Sequence, residues 1–431
     1  MSKEVWSTLK GLPPFLDPQL EIAVRGDNRE TRYTEAVTLP ESIFEQAKTI
    51  GWSLIKISQQ LPELLKSNSF RQKIGVSEER FKEKIEPFLG NGEKIGFFGV
   101  DAIIDENQNI KLIEINTRPQ VLGRFDEVTP RLIGKDDPNG NISPEIRALL
   151  DSNLPREKSA VIISHPNNTF HNYHILLGKQ IGIPVVLMQE LTVNQEGAVK
   201  YQEKEIGVIV RQFNLNMLFN PDITNRAILQ TISSGKTILS NGPVVSVMGD
   251  KPLLPLIPEI APEITDYFPQ MRIHKTGEEI SLGDYWWGWW LKGECGGDKE
   301  ITLPLDKKEL HGWRREFIKY LLMGDYNLAR HTLEGKENET AERYRNHLTG
   351  LEENCPPLWL LQENINPQKV LVNDNEQITS LYSMLRIYFV PNISPSLPPF
   401  VHLEMYLSDT PRVSAAGFIV PIRSGHIHNS I

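Results

Sequence analysis

The sequence is poor in several things, and each shortage narrows what the chain can be. It has two cysteines in 431 residues, Cys295 and Cys355. Two cannot build a disulfide framework or a cysteine zinc site, which points to a reducing, cytoplasmic setting. No run of about 18 apolar residues occurs, so no membrane span is expected. The opening MSKEVWSTLKG lacks the apolar core of a signal peptide. Positive charge is in the minority, with a formal net charge of −9, which argues against a general nucleic-acid binder. There is no internal repeat, no long low-complexity tract and no G-x-x-x-x-G-K-[ST] phosphate loop. An ordinary globular composition remains, long enough for two or three domains with ample core.

Residues 95–119, IGFFGVDAIIDENQNIKLIEINTRP, carry the densest chemistry. Apolar runs at 95–104 and 110–115 flank a polar turn at 105–109, which predicts a β-hairpin. Asp101 falls in the first strand. Glu114 and Asn116, two apart, share a face of the second and alternate with Ile113 and Ile115. Two carboxylates and an amide carbonyl then converge, and hard oxygen donors suit Mg²⁺ shared with phosphate. Arg118 follows as a fixed cation able to meet phosphate oxygens. A surface hairpin with solvated charged ends fits the same spacing, and spacing alone leaves both open.

Phe-Gly-Val-Asp101, a hairpin, then Glu114-Ile-Asn116-Thr-Arg118-Pro resembles the metal-binding end of ATP-grasp ligases. Its early place in the chain resembles the circularly permuted group related to glutathionylspermidine synthase. The resemblance implies Mg²⁺ held by Asp101, Glu114 and Asn116.

The remaining chain is read in order. Residues 1–40 suggest extended segments, and Arg25 or Arg32 could touch an anion or simply be solvated. Residues 40–90 read as helices, with Ile43, Phe44, Ala47, Ile50 and Leu54 on one face and a second short helix over 77–88. Residues 159–250 alternate strands and helices, which predicts a small parallel sheet with His165, Asn167, Arg211 and Asn241 at strand ends. For each of these four a turn or cap role stands beside ligand contact.

LLGKQIGIPVV, VIVRQFN and LSNGPVVSVMGDK follow the order of the permuted group, and Lys251 is the counterpart of its lysine. A strand ending at Lys292 runs into a loop containing Gly296 and Gly297. That loop is either an ordinary turn or a phosphate cradle resembling the ATP-grasp lid. Asp298 and Glu300 make it more acidic than in the family. Four tryptophans at 286–290 read most simply as packing. Leu358–Pro367 is similar to the family's adenine hinge, which implies nucleotide contacts from Gln362 and Glu363. The strand 380–390 places Tyr382, Met384, Arg386 and Tyr388 on one face, and an arginine in so apolar a strand needs a partner. Arg386 and Arg118 are the catalytic cations the resemblance implies.

The expected fold is α/β with α+β lobes: an ATP-grasp fold in permuted order with a Rossmann-like segment. Its expected parts are a helical and extended region at 1–90, the metal-binding part at 91–153, the Rossmann-like domain at 154–255, and lobes with lid and hinge at 256–431. The implied activity is an ATP- and Mg²⁺-dependent ligase joining a carboxylate to an amine, with ADP and phosphate released and small-molecule or peptide substrates. No nucleic-acid or membrane partner is expected. Gly99 and Thr117-Arg118 replace an arginine and an Ala-Asp of polyamine-ligase relatives, which leaves the substrates open. An inactive nucleotide-binding or scaffold protein of the same shape is the alternative. A kinase-like transfer without ligation is a third.

Overall fold

In the computed structural model, residues 37–90, 93–94, 96–117, 142–164, 171–213, 215–219, 223–279, 289–294, 300–305, 312–338, 341–342, 344–345, 348, 358–365, 367, 369–374, 377–394, 396–408 and 418–424 are described. The chain is a mixture of helices and sheets in two compact units. One contains residues 1–62, 82–248 and 366–431, and the other 63–81 and 249–365.

In the larger unit, strand β1 (Val37–Leu39) leads through Pro40 into helix α1 (Glu41–Leu64). Ile43, Phe44, Ala47, Ile50, Leu54, Ile57 and Leu61 recur at helical spacing and are buried. Helix α2 (Asn68–Lys73) follows, in the smaller unit. The helix expected at 77–88 is divided into a short α turn, a π turn over Phe81–Ile85 and a 3₁₀ turn over Glu86–Phe88, where Pro87 lacks the N–H a continuous helix needs.

Next come β2 (Glu93–Lys94), β3 (Phe98–Ile104) and β4 (Ile110–Asn116). The expected hairpin is present, but its first strand begins at Phe98, because the preceding residues cross from one sheet to another. The larger unit continues with α3 (Ser143–Asn153), β5 (Ser159–Ile163), α4 (His171–Ile181) and β6 (Val185–Val186). An antiparallel pair the sequence pattern did not suggest, β7 (Leu191–Val193) and β8 (Val199–Tyr201), precedes β9 (Lys204–Arg211), α5 (Ile223–Ser233) and β10 (Ile238–Ser240). The order β2–β10–β9–β5–β6 is parallel throughout, as the strand–helix alternation predicts.

The smaller unit holds a 3₁₀ helix at Lys251–Leu256, strands β11 (Met271–Lys275), β12 (Trp289–Glu294) and β13 (Glu300–Leu305), and helices α6 (Gly312–Met323) and α7 (Tyr326–His331). Strand β14 (Leu358–Glu363) completes the antiparallel sheet β11–β14–β12–β13. Trp289, Leu291, Leu303, Leu305, Trp359 and Leu361 point from one face of it into a core with Phe317, Ile318, Leu321 and Leu322 of α6.

The chain then returns to the larger unit through β15 (Lys369–Asp374), β16 (Gln377–Val390), β17 (Phe400–Ser408) and β18 (Phe418–Ser424). These join the hairpin in the order β1–β18–β17–β16–β3–β4. Phe98, Val100, Ala102, Leu385, Ile387, Phe389, Leu403 and Met405 alternate onto one buried face. Helix α1 closes on that face at Gly51, where an added Cβ would lie 2.2 Å from the Phe389 ring. Among the described residues no helix is long and apolar enough to cross a membrane.

Candidate functional site

The hairpin is built to hold polar groups steady. Its turn is an Asx turn: Asp105 Oδ1 accepts from the backbone N–H of Asn107 and of Asn109, each at 2.9 Å. Gln46 of α1 docks the turn, donating to the Gln108 carbonyl at 3.1 Å and accepting from the Ile110 N–H at 2.9 Å. The ladder then slips. Asp101 pairs with Glu114 but Ala102 pairs with Leu112, so Ile113 is an extra residue in β4. The simple alternation expected for Ile113–Asn116 is therefore interrupted. Ile110, Leu112 and Ile115 are the buried aliphatics, and Ile113 is half-buried.

Register carries the polar side chains onto one face, since directly opposed residues share a face. One row runs across four strands as Glu114, Asp101, Arg386 and Glu404. The next row is Asn116, Gly99, Tyr388 and His402. Gly99 leaves a gap between Asn116 and Tyr388. Arg386 grips Asp101 in a two-pronged pair, Nε to Oδ1 at 2.6 Å and Nη2 to Oδ2 at 2.8 Å. Asp101 is the partner that strand β16 requires for its arginine, and both side chains are largely shielded from solvent. Further along, buried Glu404 accepts from the Tyr388 hydroxyl at 2.9 Å, with His402 Nε2 at 3.8 Å from its other oxygen.

The donors fit a hard divalent cation in kind. Each carboxylate oxygen of Asp101 has two lone-pair directions, and Arg386 takes one on each. The Asn116 amide, half-buried, makes no hydrogen bond among the described residues. The described residues contain no group of three His, Cys, Asp or Glu side chains arranged as a metal cluster. The third donor of the expected set is an asparagine.

The parallel sheet ends beside this hairpin. Arg211, Ser164 and Asn241 lie at the carboxyl ends of β9, β5 and β10, the edge where such sheets bind ligands. Ser164 Oγ lies 2.6 Å from His174 Nδ1 and 2.9 Å from His171 Nδ1. One hydroxyl has one proton to give and two lone pairs, so at most one imidazole accepts from the serine and at least one donates to it. This trio was not singled out from the sequence. Its only signal is the i, i+3 spacing of the two histidines in the first turn of α4.

The smaller unit holds the other expected residues. Lys292 of β12 opposes Leu360 of β14, and Trp290 opposes Gln362, so Lys292 and Gln362 share the face away from the α6 core. Both are buried. Lys251, also buried, opens the 3₁₀ helix that packs on β11, β12 and β14. Glu363 falls on the opposite alternation and accepts weakly from the Gln270 N–H at 3.3 Å. Gly293 is required where it stands, because an added Cβ would meet the Trp359 ring at 2.5 Å. Trp289 belongs to the core, as packing predicts, whereas half-exposed Trp290 lies on the opposite face and donates from Nε1 to Asn364 Oδ1 at 2.9 Å. Arg118, Gly296, Gly297, Asp298, His165, Asn167, Arg25, Arg32, Trp286, Trp287, Cys295 and Cys355 lie outside the described residues.

Burial lowers the pKa of His274 and raises that of Tyr267, and a hydrogen bond to Asp151 raises that of Arg147.

The class defined by these features is a mixed α and β protein with a polar sheet face of carboxylates, an amide and an arginine. No family model and no curated protein matches the sequence. Among solved structures, a glutathione synthetase-like effector from Globodera pallida in its apo form is similar in shape, with a TM-score of 0.49 and 11% identity over 96% of this chain and 98% of that one. A "Putative gamma-glutamylcysteine synthetase" from Methylobacillus flagellatus KT has a TM-score of 0.43 and 10% identity over 84% of this chain and 82% of that one. Likenesses at this level carry no functional argument, so function is argued from the residues.

Proposed function

We propose that the chain is an ATP- and Mg²⁺-dependent ligase that joins a carboxylate to an amine. The observation that carries this reading is the register that lines up Glu114, Asp101 and Arg386 with Asn116 one rung away. It brings two carboxylates, an amide and a guanidinium onto one face, which supports the divalent-metal site that the motif's resemblance to permuted ATP-grasp ligases implies.

A carboxylate is a poor electrophile. Transfer of the ATP γ-phosphoryl group to it gives an acyl phosphate, and attack by an amine then expels phosphate. Phosphoryl transfer needs alignment and charge neutralisation more than a covalent protein nucleophile. Bound Mg²⁺ would supply charge neutralisation on phosphate oxygens. Asp101, Glu114 and Asn116 would hold it. Arg386 would hold the orientation of Asp101, and with Arg118 would spread positive charge around the transferring group. The resemblance would further give phosphate contacts to Lys251 and Lys292, adenosine contacts to Gln362 and Glu363, and the exclusion of water to Gly296 and Gly297.

The test is thermal unfolding with and without MgATP, for wild type and for Glu114→Gln combined with Asn116→Ala. Nucleotide at about 100 Kd adds about 2.7 kcal/mol to the native state. A Mg²⁺-dependent rise in wild type that the double variant lacks supports the reading, and ADP release that requires both an acid and an amine completes it. Absence of a rise at saturating MgATP overturns it. One observation favours a second reading, an inactive scaffold of the same shape: Arg386 already engages both oxygens of Asp101. ADP release in the presence of both substrates excludes that reading.

A further inference from the structure

Asn241 stands where two sheets of the larger unit meet. It follows β10 directly, and its backbone is in the left-handed region at φ 55°. Glycine takes that conformation most readily, and glycine is the very next residue. Asparagine tolerates it better than most other side chains, and here its amide is also engaged.

The side chain is fully used. Asn241 Nδ2 donates to the Phe97 carbonyl at 2.6 Å and to the Thr117 carbonyl at 2.9 Å. Oδ1 accepts from the Gly96 N–H at 2.7 Å. The backbone N–H donates to the Lys94 carbonyl at 3.0 Å. Phe97 immediately precedes β3 and Thr117 immediately follows β4. The last pair of that ladder is Gly99 with Asn116. Beyond it, the amide of Asn241 ties the two strands together in place of a further backbone rung.

Arg211 braces the arrangement. Its Nε donates to the Asn241 carbonyl at 2.5 Å, and its Nη2 to Thr117 Oγ1 at 3.1 Å. Arg211, Asn241 and Thr117 are all buried. Gly96 permits the close approach, since a Cβ there would lie 1.9 Å from Ser240 Oγ.

We propose that Asn241, braced by Arg211, is a positioning residue for the metal ligands: by fixing the Thr117 carbonyl it fixes the backbone beside Asn116 and so the aim of the Asn116 amide toward the cation. This rests on the reading of Asp101, Glu114 and Asn116 as metal ligands. A carbonyl donor on an amide side chain contributes only when its direction is held, because it lacks the net charge that would draw it to the ion. Asn116 is thus the ligand most dependent on its backbone.

The experiment is Mn²⁺ binding by the full chain in the presence of ATP, followed by electron paramagnetic resonance of free Mn²⁺, with the metal-free melting temperature recorded for every variant. Glu114→Gln tests the underlying reading: it should weaken Mn²⁺ at least tenfold, and unchanged binding overturns the metal site itself. Asn241→Gly keeps the left-handed backbone and removes the amide. It should weaken Mn²⁺ about tenfold in protein that remains folded. Asn241→Asp, which turns an acceptor toward two carbonyls, should be worse. Folded Asn241→Gly that binds Mn²⁺ as wild type does, while Glu114→Gln does not, overturns the positioning role and leaves the reading standing. Should Asn241→Gly fail to fold, Thr117→Val decides: it removes only the Arg211 bond to Oγ1 and should weaken Mn²⁺ about threefold, and unchanged binding overturns the proposal.

Discussion

At the scale of single residues, Asp101 and Arg386 show how a charge is kept inside a sheet. Side-chain exposures of 13% and 16% leave little water to solvate either ion alone. Removing one partner strands the other, which costs about 3 kcal/mol for pairs this sheltered. Arg386→Met should therefore lower stability by about that amount, while Arg386→Met with Asp101→Leu should recover most of it. Urea denaturation of the three proteins measures this. Recovery would assign the loss to the stranded carboxylate and not to lost packing.

The same scale separates what was legible from what was not. Asp101, Glu114 and Asn116 were visible because the hairpin's apolar runs fix their strands. The need of Arg386 for a partner was visible because it interrupts an apolar strand. That the partner is Asp101, 285 positions away, was not visible, since pairing across that distance depends on β16 docking beside β3. Asn241 was noticed for its place after a strand. Its staple was hidden because its partners are backbone groups, which leave no mark in side-chain patterns.

At the scale of elements, α1 and β16 meet at Gly51. Alanine within a helix is more favourable than glycine by about 1 kcal/mol. Here the added methyl would press into the Phe389 ring, and such overpacking costs about 1–3 kcal/mol. Packing wins, so Gly51→Ala should lower the melting temperature, whereas Gly90→Ala, with open space around its Cβ position but φ 87°, should act only through backbone strain. Differential scanning calorimetry of both variants checks the contrast. A rise in the melting temperature of Gly51→Ala would mean that Phe389 turns aside freely.

Elements were read from sequence where one periodicity ran unbroken. The buried stripe of α1 and the alternation of β16 are such cases. The expected helix over 77–88 was read as continuous because its apolar residues keep helical spacing, yet its backbone changes hydrogen-bond pattern twice. The pair β7–β8 was missed because each strand is three residues long, too short for a period of two to declare itself.

At the scale of the molecule, stability should depend on pH through the smaller unit. His274 on β11 is buried, which holds its pKa below the ordinary 6.5 despite a hydrogen bond with the Leu322 backbone and the nearby charge of Glu278. Above pH 6.5 the ring is neutral in both folded and unfolded chains and contributes no pH dependence. Below 6.5 the unfolded chain takes up a proton that the folded chain refuses, so stability is lost. The loss stops growing once pH passes below the folded value. His274→Gln should remove this component. The difference in urea midpoint between wild type and variant should shift between pH 7.5 and pH 5, with wild type losing more. Equal losses would show that His274 charges freely in the native state.

By itself the sequence determined the local frame: a hairpin carrying Asp101, Glu114 and Asn116, a parallel strand–helix region, and an apolar strand with one arginine. These follow from periodicity, turn residues and side-chain chemistry, all of which act over a few neighbouring positions. Only the tertiary structure decided the bulge that sets Asp101 against Glu114, the choice of Arg386 as the partner of Asp101, and the joining of two sheets through Asn241. Each depends on strands far apart in the chain meeting in one register. Register is fixed by the packing of whole faces, a property no short stretch of sequence contains.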